Sequence, residues 1–68
     1  MNEETFNLSL RKFLKTVGVS SQREIEHAVA AAIADGRIRG NETWPARMTL
    51  VIDGLQLSVS FDADIKLE

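Results

Sequence analysis

Two different hydrophobic periods run along this chain, and each predicts its own kind of element. In the first part, Phe6, Leu10, Phe13, Leu14 and Val17 recur at i, i+4, i+7, i+8 and i+11. That spacing places all five on one stripe of a helix. Asn2 suits the N-cap, Glu3 and Glu4 suit the positive end of the helix dipole, and Arg11, Lys12 and Lys15 suit the opposite end. Gly18 offers the left-handed residue that closes a helix. The pattern predicts a first helix over about 3–17. Ser21 and Glu24 then have capping-box spacing, and Ile25, Ala28, Val29, Ala32 and Ile33 form a second stripe that ends at Gly36. A second helix is expected over about 21–35, turned sharply against the first.

After Gly36 the period changes. Arg37-Ile38-Arg39 is a short extended candidate, Gly40 to Thr43 reads as loop, and Trp44-Pro45 sets an extended approach. Two strands, about 46–52 and 55–61, flank Asp53-Gly54, a pair that favours a two-residue type I′ turn. That turn pairs Ile52 with Leu55, Leu50 with Leu57, and Met48 with Val59, with all six on one apolar face. Beyond Phe61 the alternation persists through Ala63, Ile65 and Leu67. Either the second strand is long, with Ile38 as a short partner, or a turn at Asp62 to Asp64 starts a third strand. The long strand is the preferred reading. The expected fold is α+β, two N-terminal helices packed on a small antiparallel sheet built around the hairpin.

Size and charge narrow the picture only a little. Sixty-eight residues fit a single domain, 1–68, whose core is small. The chain has no cysteine, so neither a disulfide nor a thiolate site is available. The acidic, polar start and the lack of any apolar run of membrane length make a cytoplasmic protein the expectation. Net charge is −2, with most basic residues before the hairpin and Asp53, Asp62, Asp64 and Glu68 towards the end. That balance disfavours nucleic acid as a partner.

Residue types that could carry chemistry are few. His27 is the sole histidine and has no cysteine or second histidine with which to hold zinc. Asp62-x-Asp64 puts two carboxylates on one strand face, too few oxygens for calcium, and reads as a solvated face. Glycines 36, 40 and 54 fit no phosphate-binding loop. No enzyme, metal or cofactor is expected.

Two resemblances rest on short segments. Phe13 to Ser20 followed by a helix, then Asp35-Gly36-Arg37-Ile38-Arg39 and a hairpin, resembles the winged helix-turn-helix of transcription factors. That resemblance implies that Ser21, Gln22, Arg23 and His27 face the major groove while Arg37, Arg39 and Arg47 reach phosphates. Glu24, Glu26 and Asp35 place negative charge on the same helix, opposite phosphate. The whole chain, through Asn2-Glu3 with Thr5-Phe6-Asn7 and through Val17 to Glu26, is similar to a family of short uncharacterised bacterial proteins. This second likeness implies a free-standing bacterial protein and no particular mechanism.

Some apolar residues are left over from the expected core. Leu8 falls on the far side of the first helix, Val51 on the polar face of the hairpin, and Trp44 in a loop. Tryptophan and arginine are enriched at interface hot spots, which makes Trp44, Arg47 and Val51 the candidate protein interface. The preferred function is a small non-catalytic protein-interaction module, self-association included. The alternative is a winged-helix-like nucleic-acid binder using Ser21, Gln22, Arg23, His27, Arg37 and Arg39.

Overall fold

A computed structural model describes all 68 residues. They divide into two units, Met1–Arg37 and Ile38–Glu68. The first unit holds one helix, α1 (Glu3–Ala34). The second holds an antiparallel hairpin of β1 (Thr43–Ile52) and β2 (Leu57–Lys66). The class is α+β.

The first correction concerns the helices. The expected pair over 3–17 and 21–35 is a single helix of 32 residues. Gly18 does not adopt the left-handed conformation, and Ser21 caps nothing. The physical reason is continuity of the stripe. Val17, Ser21 and Ile25 follow one another at i+4, so a helix that runs on keeps its apolar side aligned. A mid-helix glycine costs only about 1 kcal/mol relative to alanine, and no proline intervenes. Two weak stop and start signals therefore lose to an unbroken ladder of backbone hydrogen bonds.

Both outer ends are set as expected. The Asn2 side-chain carbonyl accepts the Thr5 N–H at 3.1 Å, and Glu3 and Glu4 occupy the first turn. At the other end Gly36 takes φ +74°. The Arg37 N–H then donates to the Ala32 carbonyl at 3.0 Å, and the Gly36 N–H to the Ile33 carbonyl at 3.1 Å. This paired arrangement is the Schellman motif, and it stops the helix where the sequence placed the stop.

The second correction concerns the hairpin. Its connection is not a two-residue type I′ turn at Asp53-Gly54. Asp53–Leu55 form one 3₁₀ turn, the Gln56 N–H donates to the Asp53 carbonyl at 3.0 Å, and Gln56 carries the positive φ of 54°. Four-residue loops of this kind are the next solution after the two-residue turns. The pairing moves by two residues as a result, to Ile52 with Leu57, Leu50 with Val59, and Met48 with Phe61. Leu55 leaves the strand and lies in the loop, 72% exposed.

What distinguishes the two registers lies in the loop and on the polar face. A shift of two preserves which residues face which way, so the apolar pattern fits both registers equally. Only the observed register sets Arg47 opposite Asp62 and Thr49 opposite Ser60. The Arg47 Nε donates to Asp62 Oδ1 at 2.8 Å, and the two hydroxyls lie 3.0 Å apart. It also extends the ladder to Thr43 with Lys66. The second strand is accordingly long, and its far end pairs with Thr43–Ala46 and not with Ile38, which is outside the sheet. Pro45 is tolerated because each strand of a two-stranded ribbon has a free edge.

Candidate interaction surface

Alternation along the hairpin sorts its side chains without exception in polarity on one side. Trp44, Ala46, Met48, Leu50 and Ile52 of β1 face the same way as Leu57, Val59, Phe61, Ala63 and Ile65 of β2. Each lies opposite another member of the set, from Trp44 with Ile65 at one end to Ile52 with Leu57 at the other. The reverse face carries Thr43, Arg47, Thr49, Ser58, Ser60, Asp62, Asp64 and Lys66, with Pro45 and Val51 among them. A two-stranded ribbon has no second layer of its own with which to cover an apolar face. Met48, Ile52, Leu57, Val59 and Phe61 are all exposed, Phe61 most of all.

The helix presents the same situation in a different geometry. Its stripe of Phe6, Leu10, Phe13 and Leu14 is between 42 and 56% exposed, and Ile25 is exposed further along. Val17, Ser21 and Val29 are half-buried, and Ala32 is the one buried residue of the whole chain. Exposed apolar residues scattered singly need no explanation, whereas joined rows of them mark a surface that expects a partner.

The loop that leads into β1 has its own organisation. Backbone N–H groups of Arg39, Gly40 and Asn41 converge on the carboxylate of Glu42, at 2.8, 2.9 and 3.1 Å. Gly40 makes this possible by taking φ +101°. Three successive amides around an anion form a nest, here filled by the chain's own side chain. The donors hold the Glu42 carboxyl below its ordinary value of 4.5, the Arg39 and Gly40 N–H groups being the largest causes. The Glu42 carbonyl in turn accepts the Leu67 N–H at 3.0 Å, tying the end of the chain to the start of β1.

The residues singled out from sequence do not gather into one place. Trp44 is not a loop residue but lies within β1 on the apolar face, half-buried, whereas Arg47 and Val51 lie on the opposite face. The three therefore cannot form one patch on the hairpin. Ser21, Gln22, Arg23 and His27 sit in the middle of α1, where no turn precedes them, so the separate recognition helix of a winged helix is not formed. Arg37 is ion-paired with Asp35 at 3.4 Å, and the Arg39 backbone belongs to the Glu42 nest. Asp62 and Asp64 share the polar face as expected, but Asp62 is occupied by Arg47. No group of three or more histidine, cysteine or acidic side chains comes together to hold a metal ion. No helix is long and apolar enough to cross a membrane.

Besides the leftover Leu8 and Val51, the expected core residues Phe6, Leu10, Phe13, Met48 and Phe61 are themselves exposed. The signal was present as two full apolar faces on a very short chain.

Comparison with known proteins places this two-unit chain in a family. A family model described as a family of unknown function (DUF6494) matches residues 1–68, and the chain belongs to that family. No curated protein and no solved structure matches it.

Proposed function

We propose that this protein is a small non-catalytic protein-interaction module whose apolar hairpin face and apolar helix stripe are its working surfaces. One observation carries the reading: sixteen large hydrophobic side chains are exposed while Ala32 alone is buried. Water penalises each exposed apolar face, and association relieves that penalty. Two acidic groups support the same view, since both have a local structural occupation. Asp62 holds Arg47, Glu42 holds its own loop, and His27 is an exposed residue of the helix. A bacterial, cytoplasmic setting goes with this reading, supported by the sequence likeness and the cysteine-free composition.

Sedimentation velocity from micromolar to millimolar protein, joined to thermal melts over the same range, tests the proposal. The expected result is a species heavier than the monomer and an unfolding midpoint that rises with concentration. A monomer throughout, melting cooperatively at a fixed midpoint, would mean that each chain satisfies its own apolar faces. The interaction reading would then be abandoned.

A further inference from the structure

Going beyond the interaction reading, which gives the apolar surfaces to protein, we infer that the first half of α1 also binds an anionic lipid surface. The helix lies flat on it, with Phe6, Leu10, Phe13 and Leu14 at the acyl boundary and its bases towards the headgroups. Two observations on the same segment carry this. At about 100° per residue, those four side chains lie within an arc of about 100°, with half-buried Val17 inside it. Each of the four is between 42 and 56% exposed. An amphipathic helix of this kind buries its apolar side in the bilayer interface without spanning it. No helix of the chain is long and apolar enough to span.

Charge supplies the second observation. From Thr5 to Arg23 the helix has no carboxylate, and Arg11, Lys12, Lys15 and Arg23 are its charged side chains. All four are exposed, and none lies within ion-pairing distance of an acid. Arg11 with Lys15 and Lys12 with Lys15 are like charges at i+4 and i+3, a small cost to the isolated helix that an anionic surface relieves. The four bases occupy an arc of about 120° opposite the apolar one. Arg11 and Arg23 border the apolar arc most closely, and their long stems reach the headgroups. Lys12 and Lys15, farther round, stay within roughly a Debye length of the surface across a helix about 10 Å wide.

Acids bound the segment. Glu3 and Glu24 fall on the apolar arc itself, one at each end, so the lipid-facing side stops at them. Leu8 and Val19 lie among the bases on the aqueous side, where single exposed apolar groups are ordinary. Nucleic acid would take the bases and leave the stripe in water. A neutral apolar groove would take the stripe and leave the bases unanswered. A bilayer with anionic headgroups meets both, since it buries the apolar arc and each base near it adds its own attraction.

Flotation of the full chain with two kinds of vesicle tests this: phosphatidylcholine alone, and phosphatidylcholine with phosphatidylglycerol in equal parts. Binding is expected to the second and not to the first, and should weaken with added salt. Lys12→Gln with Lys15→Gln should lower partitioning roughly 25-fold, at about fivefold per charge. Phe13→Ala should lower it about tenfold. These side chains are exposed, and circular dichroism without lipid checks that the helix persists in each variant. The native chain lacks cysteine, so nitroxides on Leu10→Cys and Lys15→Cys report one position each. On anionic vesicles the first should be shielded from an aqueous relaxation agent and the second open to it. No flotation with anionic vesicles, equal flotation with both kinds, indifference to Phe13→Ala, or equal shielding of the two labels would overturn the lipid surface. Oligomers that sediment without lipid while vesicles stay unbound would overturn it and leave the protein reading standing. Flotation of a chain that is monomeric at every concentration would uphold the lipid surface and remove the protein reading.

Discussion

The helix and the hairpin are both two-faced, yet they differ in what fixes them. In the hairpin two registers suit the apolar face, and the observed one alone also sets Arg47 against Asp62 and Thr49 against Ser60. In the helix no long-range pair exists to choose anything. Its extent follows from an unbroken ladder between the Asn2 cap and the Gly36 stop, and its stripe has no partner element within the unit Met1–Arg37. A periodic pattern tells which residues share a face. Where an element ends, and what it pairs with, is decided by contacts of other kinds.

The largest effect should come from breaking the helix where two helices were expected to meet. Ser20→Pro would fall between the elements of a helical hairpin and be tolerated there. Within a continuous helix it removes a backbone hydrogen bond and clashes with the preceding turn, at about 3 kcal/mol or more. The expected outcome is a marked loss of helical circular dichroism and of the unfolding midpoint. A variant as helical as the wild type would restore the two-helix reading.

Two glycines sharpen the same comparison with opposite signs. Gly18 is in ordinary helical backbone and an added Cβ meets nothing within 4 Å, so Gly18→Ala should stabilise by about 1 kcal/mol. Gly36 also has free space around it but sits at φ +74°, so Gly36→Ala should destabilise by about 1–2 kcal/mol. Denaturant midpoints at one protein concentration read both. If Gly18→Ala destabilised as Gly36→Ala does, position 18 would be a helix stop after all.

Gly18 and Gly36 also show how much of the molecule was legible in the sequence. The two residues have the same chemistry, but Gly36 is followed by a change of hydrophobic period, whereas the stripe simply continues through Gly18 by way of Ser21. The polar serine in that stripe made the continuity hard to see. Likewise Asp53-Gly54 carries a strong turn preference, and the turn is indeed there. Its length was not legible, because a shift of two keeps every side chain on its face. The α+β class, the two outer helix caps and the apolar hairpin face could all be read. The candidate site could not, because Trp44 and Arg47 were judged by residue type before the register that separates them was known.

A smaller and more local effect should appear in the loop on acidification. The folded carboxyl of Glu42 is held low by the amides of Arg39, Gly40 and Asn41, so the ionised form is the one that stabilises the fold. Its contribution is complete above the ordinary value of 4.5 and is lost as pH falls through the depressed folded value. The three amide resonances should therefore shift together, with a midpoint below the ordinary glutamate range, and should stay still between neutral pH and that range. Glu42→Gln should remove the shared titration while leaving the β1–β2 ladder intact. A titration of the three amides at the usual glutamate value would show that the nest does not hold the carboxylate.

The smallest effect tests what the polar face of the hairpin contributes. Arg47 and Asp62 are 71 and 61% exposed, so solvent screens their attraction and the pair should be worth well under about 1 kcal/mol. A double-mutant cycle on Arg47→Ala and Asp62→Ala should return a coupling of a few tenths of a kcal/mol, weakened further by salt. Register is a separate quantity from stability. The competing registers differ on the polar face but not on the apolar one, so a few tenths of a kcal/mol shifts their relative population even where the global midpoint barely moves. In the double variant, cross-strand nuclear Overhauser contacts of the predicted pairing, Leu50 with Leu57, should become visible beside those of Leu50 with Val59. If the double variant keeps the observed register alone, the four-residue loop around Gln56 sets the pairing, and the ion pair merely follows from it.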